Sequence, residues 1–345
     1  MVWLFLFLLF CFVLFHSKWE WNEDYLGIDN CYDIKGVFIL MVLFSHATQY
    51  IEKSGYNYTS FGDFIIPLYK SFMGQLIVAM FLFYSGYGVS ISISKKGIRY
   101  INQIPRNRVL VVLLNFMVAV AFFVIVNVLF SIKMEWNQIL MSLIGWDSVG
   151  NSNWYIFVIL LCYIITYVSF KVCSTFFRKD AYWVCVFIGC FVTMVFLSYL
   201  KPSYWYNTIL CYPAGVFYFV FKRYIESFFK MKGLLVFLFL SLGVILLPEL
   251  KYTIHGLVDN IRAICFAFLI VILSMHIKIG CYSLRWCGKN LFPLYIYQRL
   301  PMIIIYALSG GLLVHQYPFT FILISLLVSV FIAYLYHNWA IKPKQ

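Results

Sequence analysis

A chain of 345 residues that is 63% hydrophobic and only 11% charged is not a water-soluble globular domain, because too little polar surface remains to cover the apolar bulk. The mean hydropathy of +0.88 agrees, and the composition fits an all-α, polytopic integral membrane helix bundle. The formal charge of +13 does not point to nucleic acid, since the cations are scattered through short loops between apolar runs, as positive-inside sorting produces.

Residues 2–16 are apolar enough for a signal peptide, but no basic residue precedes them and no small-x-small cleavage site follows. They predict a retained, slightly short first span, so that 1–17 is an extra N-terminal span and 18–345 the main membrane domain. The acid-rich stretch after it, with Glu20, Glu23, Asp24, Asp29 and Asp33, predicts a solvated loop. Ten further spans are expected at about 34–51, 66–93, 109–132, 154–172, 181–200, 205–221, 233–248, 257–277, 291–308 and 317–340. Placing alternate loops on opposite sides collects nineteen cations on one side, among them Lys18, Lys35, Lys95, Arg106, Arg178, Lys179, Lys278, Arg285, Lys289 and Lys344, against Lys53, Lys133, Lys201 and Lys251 on the other. The crowded side is therefore expected in the cytoplasm, with the amino terminus outside and the carboxyl terminus inside. The longest later loop, about 133–153, leaves no soluble domain, so the activity must lie within or between helices. Ten cysteines fall mostly in apolar runs without a Cys-x-x-Cys pair and suggest packing, with no metal site and no disulfide framework.

The run from Lys35 to His46 puts an ionisable residue in mid-span. On a helix these two residues are about 16 Å apart and within about 20° of one face. An isolated intramembrane histidine often only hydrogen-bonds between helices, but a matched cation one face-repeat away shifts the reading toward function. The loop 95–108 holds Lys95, Lys96, Arg99, Arg106 and Arg108, suited either to topology and lipid headgroups or to clamping phosphates. Arg262 lies within its span with Asp259 three positions earlier, a spacing for an ion pair. In Leu294-Tyr-Ile-Tyr-Gln-Arg-Leu-Pro301, Gln298 and Arg299 fall about 12 to 14 Å from Asn290, close to the depth of His46 on a helix running the same way. His16, His255, His276, His315 and His337 fall at span ends and suggest no chemistry.

Lys35 followed by ten residues and His46 resembles the hallmark of the acyltransferase-3 family, multi-span bacterial enzymes that move acyl groups, most often acetyl, onto cell-surface glycans. Phe81-Leu-Phe-Tyr-Ser-Gly-Tyr87, the basic loop after it, Gly150-Asn-Ser-Asn-Trp-Tyr-Ile-Phe157 and Tyr212-Pro-Ala-Gly-Val216 are similar to further family segments, over about residues 30 to 340. The chain departs from the pattern in carrying Arg106-Asn-Arg108 where the family usually separates two arginines by two residues. It also lacks a histidine in the tyrosine-rich 294–301 segment. The resemblance implies an O-acyltransferase in the bacterial cytoplasmic membrane, with acetyl-CoA as co-substrate and no permanently bound cofactor. A polysaccharide or lipid-linked glycan would be the acceptor, with membrane lipids around the bundle. His46 is then the general base, Lys35, Arg99, Arg106 and Arg108 hold acyl-CoA, and Asn153, Trp154, Arg262, Gln298 and Arg299 face the acceptor or oxyanion. The alternative is a transporter or flippase for a lipid-linked sugar. Against it, no internal repeat is evident and no acid sits at a span centre.

Overall fold

The computed structural model describes residues 1–59, 61–176, 181–247 and 256–342; Arg178, Lys179, Lys251 and Lys344 of the charge tally, and His255, lie outside the described residues. Among these, nine stretches are long and apolar enough to cross a membrane, and a shorter apolar helix, α1 (Trp3–Phe15), precedes them. At about 1.5 Å per residue α1 is about 20 Å long, less than a ~30 Å hydrocarbon core. The chain forms two compact units.

The first unit comprises Met1–Ile77, Leu114–Asn153 and Ile277–Ile341. Its axis is α2 (Ile28–Lys53), which packs against α12 (Tyr282–Lys289), α13 (Leu291–Tyr297), α14 (Arg299–Ser309) and α16 (Pro318–Leu335). α1 runs antiparallel to α2. The backbone N–H of Trp3 donates to Asp63 beyond the Lys53 end, Phe5 stacks on Phe44 at 5.3 Å, and the Gly280 N–H donates to the His16 carbonyl near the opposite end. There Ser17–Trp19 (β1) pairs antiparallel with Ile277–Ile279 (β2), Lys18 opposite Lys278, a small strand pair that an all-helical reading misses.

The acid-rich stretch is not simply a solvated loop, because α2 begins inside it and Asp33 is fully buried. A carboxylate survives there because Arg285 grips it with two hydrogen bonds, of 3.2 and 3.0 Å, and reaches Asp29 at 3.2 Å. The hydrogen bonds and charge of Asp33, with the charge of Asp29, raise the Arg285 guanidinium above its ordinary pKa. Glycine makes the α2–α12 crossing close. A methyl at Gly36 would overlap the Leu284 carbonyl, and one at Gly288 the Tyr32 carbonyl. Gly36→Ala and Gly288→Ala are each expected to destabilise the protein by about 1–3 kcal/mol through overpacking. Thermal unfolding in detergent would show this as a lowered Tm, with Gly233→Ala, where a methyl meets open space, unchanged or slightly raised.

The second unit comprises Val78–Leu113 and Trp154–His276, with Lys342. It contains α4 (Leu76–Lys96), α5 (Ile98–Gln103), a π-helical turn at Ile104–Leu110, α8 (Trp154–Phe176), α9 (Tyr182–Leu200), α10 (Cys211–Leu246) and α11 (Leu257–His276). Pro105 has no N–H to donate, and the widened turn that follows carries Arg106-Asn-Arg108. Two of the segments singled out in the sequence form one close crossing, since Gly86 lies on the Tyr212 carbonyl and Gly215 on that of Phe83.

The expected spans 205–221 and 233–248 are joined in one continuous helical stretch, α10, which is why nine stretches are found where ten were expected after the first. No glycine or proline interrupts 222–232, and Lys222 pairs with Glu226 at 3.7 Å, so the basic connection is helical rather than a loop. α10 is nevertheless not a straight rod. The Leu210 N–H at its start donates to Asn260, and the Val244 carbonyl near its end accepts from Arg262, two residues further along α11. A straight helix would hold Leu210 and Val244 about 51 Å apart. The breaks at Phe221 and Lys232, where the backbone leaves helical geometry, let the stretch double back along α11.

Candidate active site

The His46 side chain is half-buried on α2, with the Tyr295 ring centroid 6.4 Å away and tilted by 60°. Its Nδ1 is enclosed and has no hydrogen-bond partner among the described residues. The charged group in electrostatic reach of the ring is Arg299. Arg299 donates to Gln49 Oε1 at 3.1 Å and lies 5.7 Å from the centre of the Tyr50 ring, while its Nε is enclosed without a partner. The neighbouring Gln298 is fully buried and donates to the Tyr295 carbonyl at 3.2 Å, leaving its Oε1 unpartnered. Buried polar atoms are nearly always satisfied. His46, Gln298 and Arg299 thus each carry a buried polar atom without a partner among the described residues.

Local sequence explains the arrangement. Pro301 cannot supply the N–H that would bond the Tyr297 carbonyl, and the helical hydrogen bonding breaks at Gln298 between α13 and α14. That break carries Gln298 and Arg299. α14 runs parallel to α2, because Tyr295, Arg299 and Tyr306 meet His46, Gln49 and Lys53 in order. Gln49, Tyr50 and Lys53 follow His46 at three, four and seven positions and so share its face. That helical spacing is the sequence signal that marks them.

Lys35 lies eleven residues from His46, with its ammonium 5.7 Å from the Tyr32 ring, whose centroid is also 5.8 Å from Lys289. The cation beside the imidazole is thus Arg299, while Lys35 belongs to a basic cluster at the start of α2 with Arg285, Lys289 and the β1–β2 pair. Asn153 is buried and donates to the carbonyls of Gly145 and Asp147, at 3.0 and 2.9 Å, so its amide shapes the 145–153 loop.

At the Lys53 end the unit encloses a cleft of about 230 Å³, lined by Tyr50, Lys53, Lys133, Gln138, Gly150 and Tyr306 among others. Its walls are tied by Asn127, which donates to the Val149 carbonyl at 2.7 Å, and by Gln138, which donates to that of Ser148 at 2.8 Å. Ser131, next to the lining residue Ile132, has φ of 54°, a strained geometry for a residue with a side chain. Tyr50 therefore faces the cleft and the Arg299 guanidinium, one turn from His46.

In the second unit, Arg99, Arg106 and Arg108 are all exposed, and Arg108 has Tyr163, Tyr100 and Tyr212 in electrostatic reach. Trp154 is buried at the start of α8 against Tyr155 and Tyr204. Arg262 donates to the Val244 carbonyl at 3.0 Å, with Asp259 in electrostatic reach. Of the residues expected at the acceptor, the structure brings Arg299 to His46 and buries Gln298 beside it in the chain, whereas Asn153, Trp154 and Arg262 have structural contacts of their own.

Comparisons with curated proteins and with solved structures return no match. The model of an acyltransferase domain, that of the acyltransferase 3 family, matches residues 29–338. With a membrane-spanning histidine, its cationic neighbour and a match over most of its length, the chain belongs to the acyltransferase 3 family and is a membrane acyltransferase.

Proposed function

We propose that this acyltransferase moves an acyl group, acetyl in the simplest case, from acyl-CoA to a hydroxyl of a cell-surface or lipid-linked polysaccharide, with His46 as general base. The observation that carries the reading is the unpartnered, enclosed Nδ1 of His46 beside Arg299. The imidazole takes the hydroxyl proton as the oxygen attacks the thioester carbonyl carbon. The carbonyl oxygen becomes an oxyanion, for which Arg299 is the available donor. Collapse breaks the carbon–sulfur bond, and the imidazolium returns its proton to the departing thiolate. Acetyl-CoA is a co-substrate in this scheme, and no resident cofactor takes part. Lys35, Arg99, Arg106 and Arg108 are assigned to the phosphates of coenzyme A, whose charge suits planar guanidinium donors. Asn153, whose amide shapes the 145–153 loop, is assigned to the supporting rim of the acceptor side.

Positive-inside sorting supports an orientation with the Lys35 end of α2 in the cytoplasm of a bacterial plasma membrane and the Lys53 end outside. Within the first unit, Lys18, Lys35, Lys278, Arg285 and Lys289 gather at one end of α2, whereas Lys53 and Lys133 line the cleft at the other. Purified protein supplied with radiolabelled acetyl-CoA and bacterial surface polysaccharide is expected to leave label on the sugar that mild base releases. Movement of unmodified lipid-linked sugar across proteoliposomes, without label transfer, would instead make the protein a transporter.

A further inference from the structure

The cleft at the Lys53 end carries charge that topology disfavours. Of the four lysines on the sparsely charged side of the chain, Lys53 and Lys133 converge on this one cleft. Positive-inside sorting selects against cations there, so two in one place call for a compensating role. Nearby acids do not neutralise them. Glu52 is paired with Lys70, and Glu135 caps the first turn of α7 (Trp136–Leu143) in a capping box. Asp63 holds the chain's amino terminus, the Tyr56 hydroxyl and the Trp3 N–H, while Asp147 accepts the Ser148 N–H. Burial would raise the Asp63 carboxyl, but these hydrogen bonds outweigh it and hold the group below the usual carboxylate range. Neither Lys53 nor Lys133 makes an ion pair among the described residues, and the Lys53 ammonium rests 4.9 Å from the centre of the Tyr306 ring.

The remaining walls suit a carbohydrate. Tyr50 and Tyr306 offer aromatic faces to the C–H faces of a sugar ring, and Lys53 and Lys133 offer charged donors. A volume of about 230 Å³ is below the ~300–1,000 Å³ of pockets for drug-sized ligands, which suits a single ring rather than a long segment. Lys53 is seven residues beyond His46, a helical rise of about 10 Å, which one lysine side chain and one sugar ring can bridge.

We propose that the acceptor is an acidic saccharide, a sugar bearing a carboxylate or phosphate, whose anion rests between Lys53 and Lys133 while its ring lies on Tyr50 and Tyr306 and presents a hydroxyl toward His46. This deepens the acyltransferase reading and rests on it for the last step, but binding can be measured without turnover. Full-length protein in nanodiscs is titrated calorimetrically with trigalacturonic acid, glucose 6-phosphate and neutral maltotriose. At least one acidic probe is expected to bind about tenfold more tightly than maltotriose, as attraction to two exposed cations at up to about 1 kcal/mol each implies. The carboxylate and phosphate arms identify which anion the site prefers. Lys53→Gln with Lys133→Gln is expected to abolish that preference and leave maltotriose affinity unchanged. If the double variant is not monodisperse, the exposed Lys133→Gln alone is expected to cost about threefold.

His46→Ala is expected to bind the acidic probe as the parent does. Failure of the parent protein to transfer acyl to any saccharide, with binding intact, would overturn the reaction and keep the binding site. Equal affinity for acidic and neutral probes, or lysine variants that bind the acidic probe unchanged, would overturn the acidic acceptor and leave the reaction standing.

Discussion

His46→Ala is expected to lower the rate of acyl transfer by about 10²–10⁴ while leaving the amount of protein in the membrane and its unfolding temperature close to those of the parent. The distinction matters because a buried histidine commonly serves as an interhelical tie. Among the described residues Nδ1 has no partner, and the ring's aromatic neighbour, Tyr295, is 6.4 Å away. Removing the ring thus breaks no hydrogen bond at that nitrogen and leaves Tyr295 anchored in its own helix. The measurement is label transfer from acetyl-CoA to glycan under single-turnover conditions, beside a thermal melt of the same preparation. Transfer that survives at near-parental rate would remove His46 from the chemistry. A collapse in both activity and melting temperature would make it a structural tie.

Arg299→Met should have the next largest effect, a fall in kcat of about 10²–10³ from loss of one preorganised donor to the oxyanion, with a smaller change in KM for acetyl-CoA. Methionine keeps much of the side-chain length while removing the charge and all donors. Arg299→Lys should fall between, since an ammonium retains the charge but cannot reproduce the planar fork that serves Gln49 and an oxyanion together. A variant that raised KM alone would place Arg299 in ground-state binding instead. Because Arg299 lies 5.7 Å from the Tyr50 ring at the wall of the cleft, acceptor KM should be followed as well as donor KM.

Much of this was legible in the sequence, for physical reasons. Apolar runs report membrane-length helices directly, and rise per residue was enough to put Arg299 at the depth of His46 on a helix of the same direction. Two kinds of information were not legible. Lys35 was matched to His46 by helical phase, but phase says only that two side chains share a face; the imidazole's cationic neighbour comes from another helix, which a one-dimensional pattern does not contain. The basic 222–232 segment reads as a loop by hydropathy, yet nothing in it stops a helix, and only its bonds to α11 show the stretch doubling back. The cleft has no signature in the sequence for a similar reason, because its lining comes from α2, α14 and the 127–150 region, brought together by tertiary structure.

The glycine-on-carbonyl seating of α2 against α12 has a bearing on turnover. Gly36 and Gly288 each fit one place on the opposing backbone, and Arg285 clasps Asp33 beside them, so sliding the histidine's helix lengthwise would undo all three contacts at once. The other wall of the reaction centre is built differently. Beside Gln298, whose backbone stays helical, the absent N–H of Pro301 leaves the Tyr297 carbonyl without its helical donor. The helix that carries the base is therefore pinned against lengthwise sliding, whereas the one that carries the arginine is short of a backbone bond beside the site.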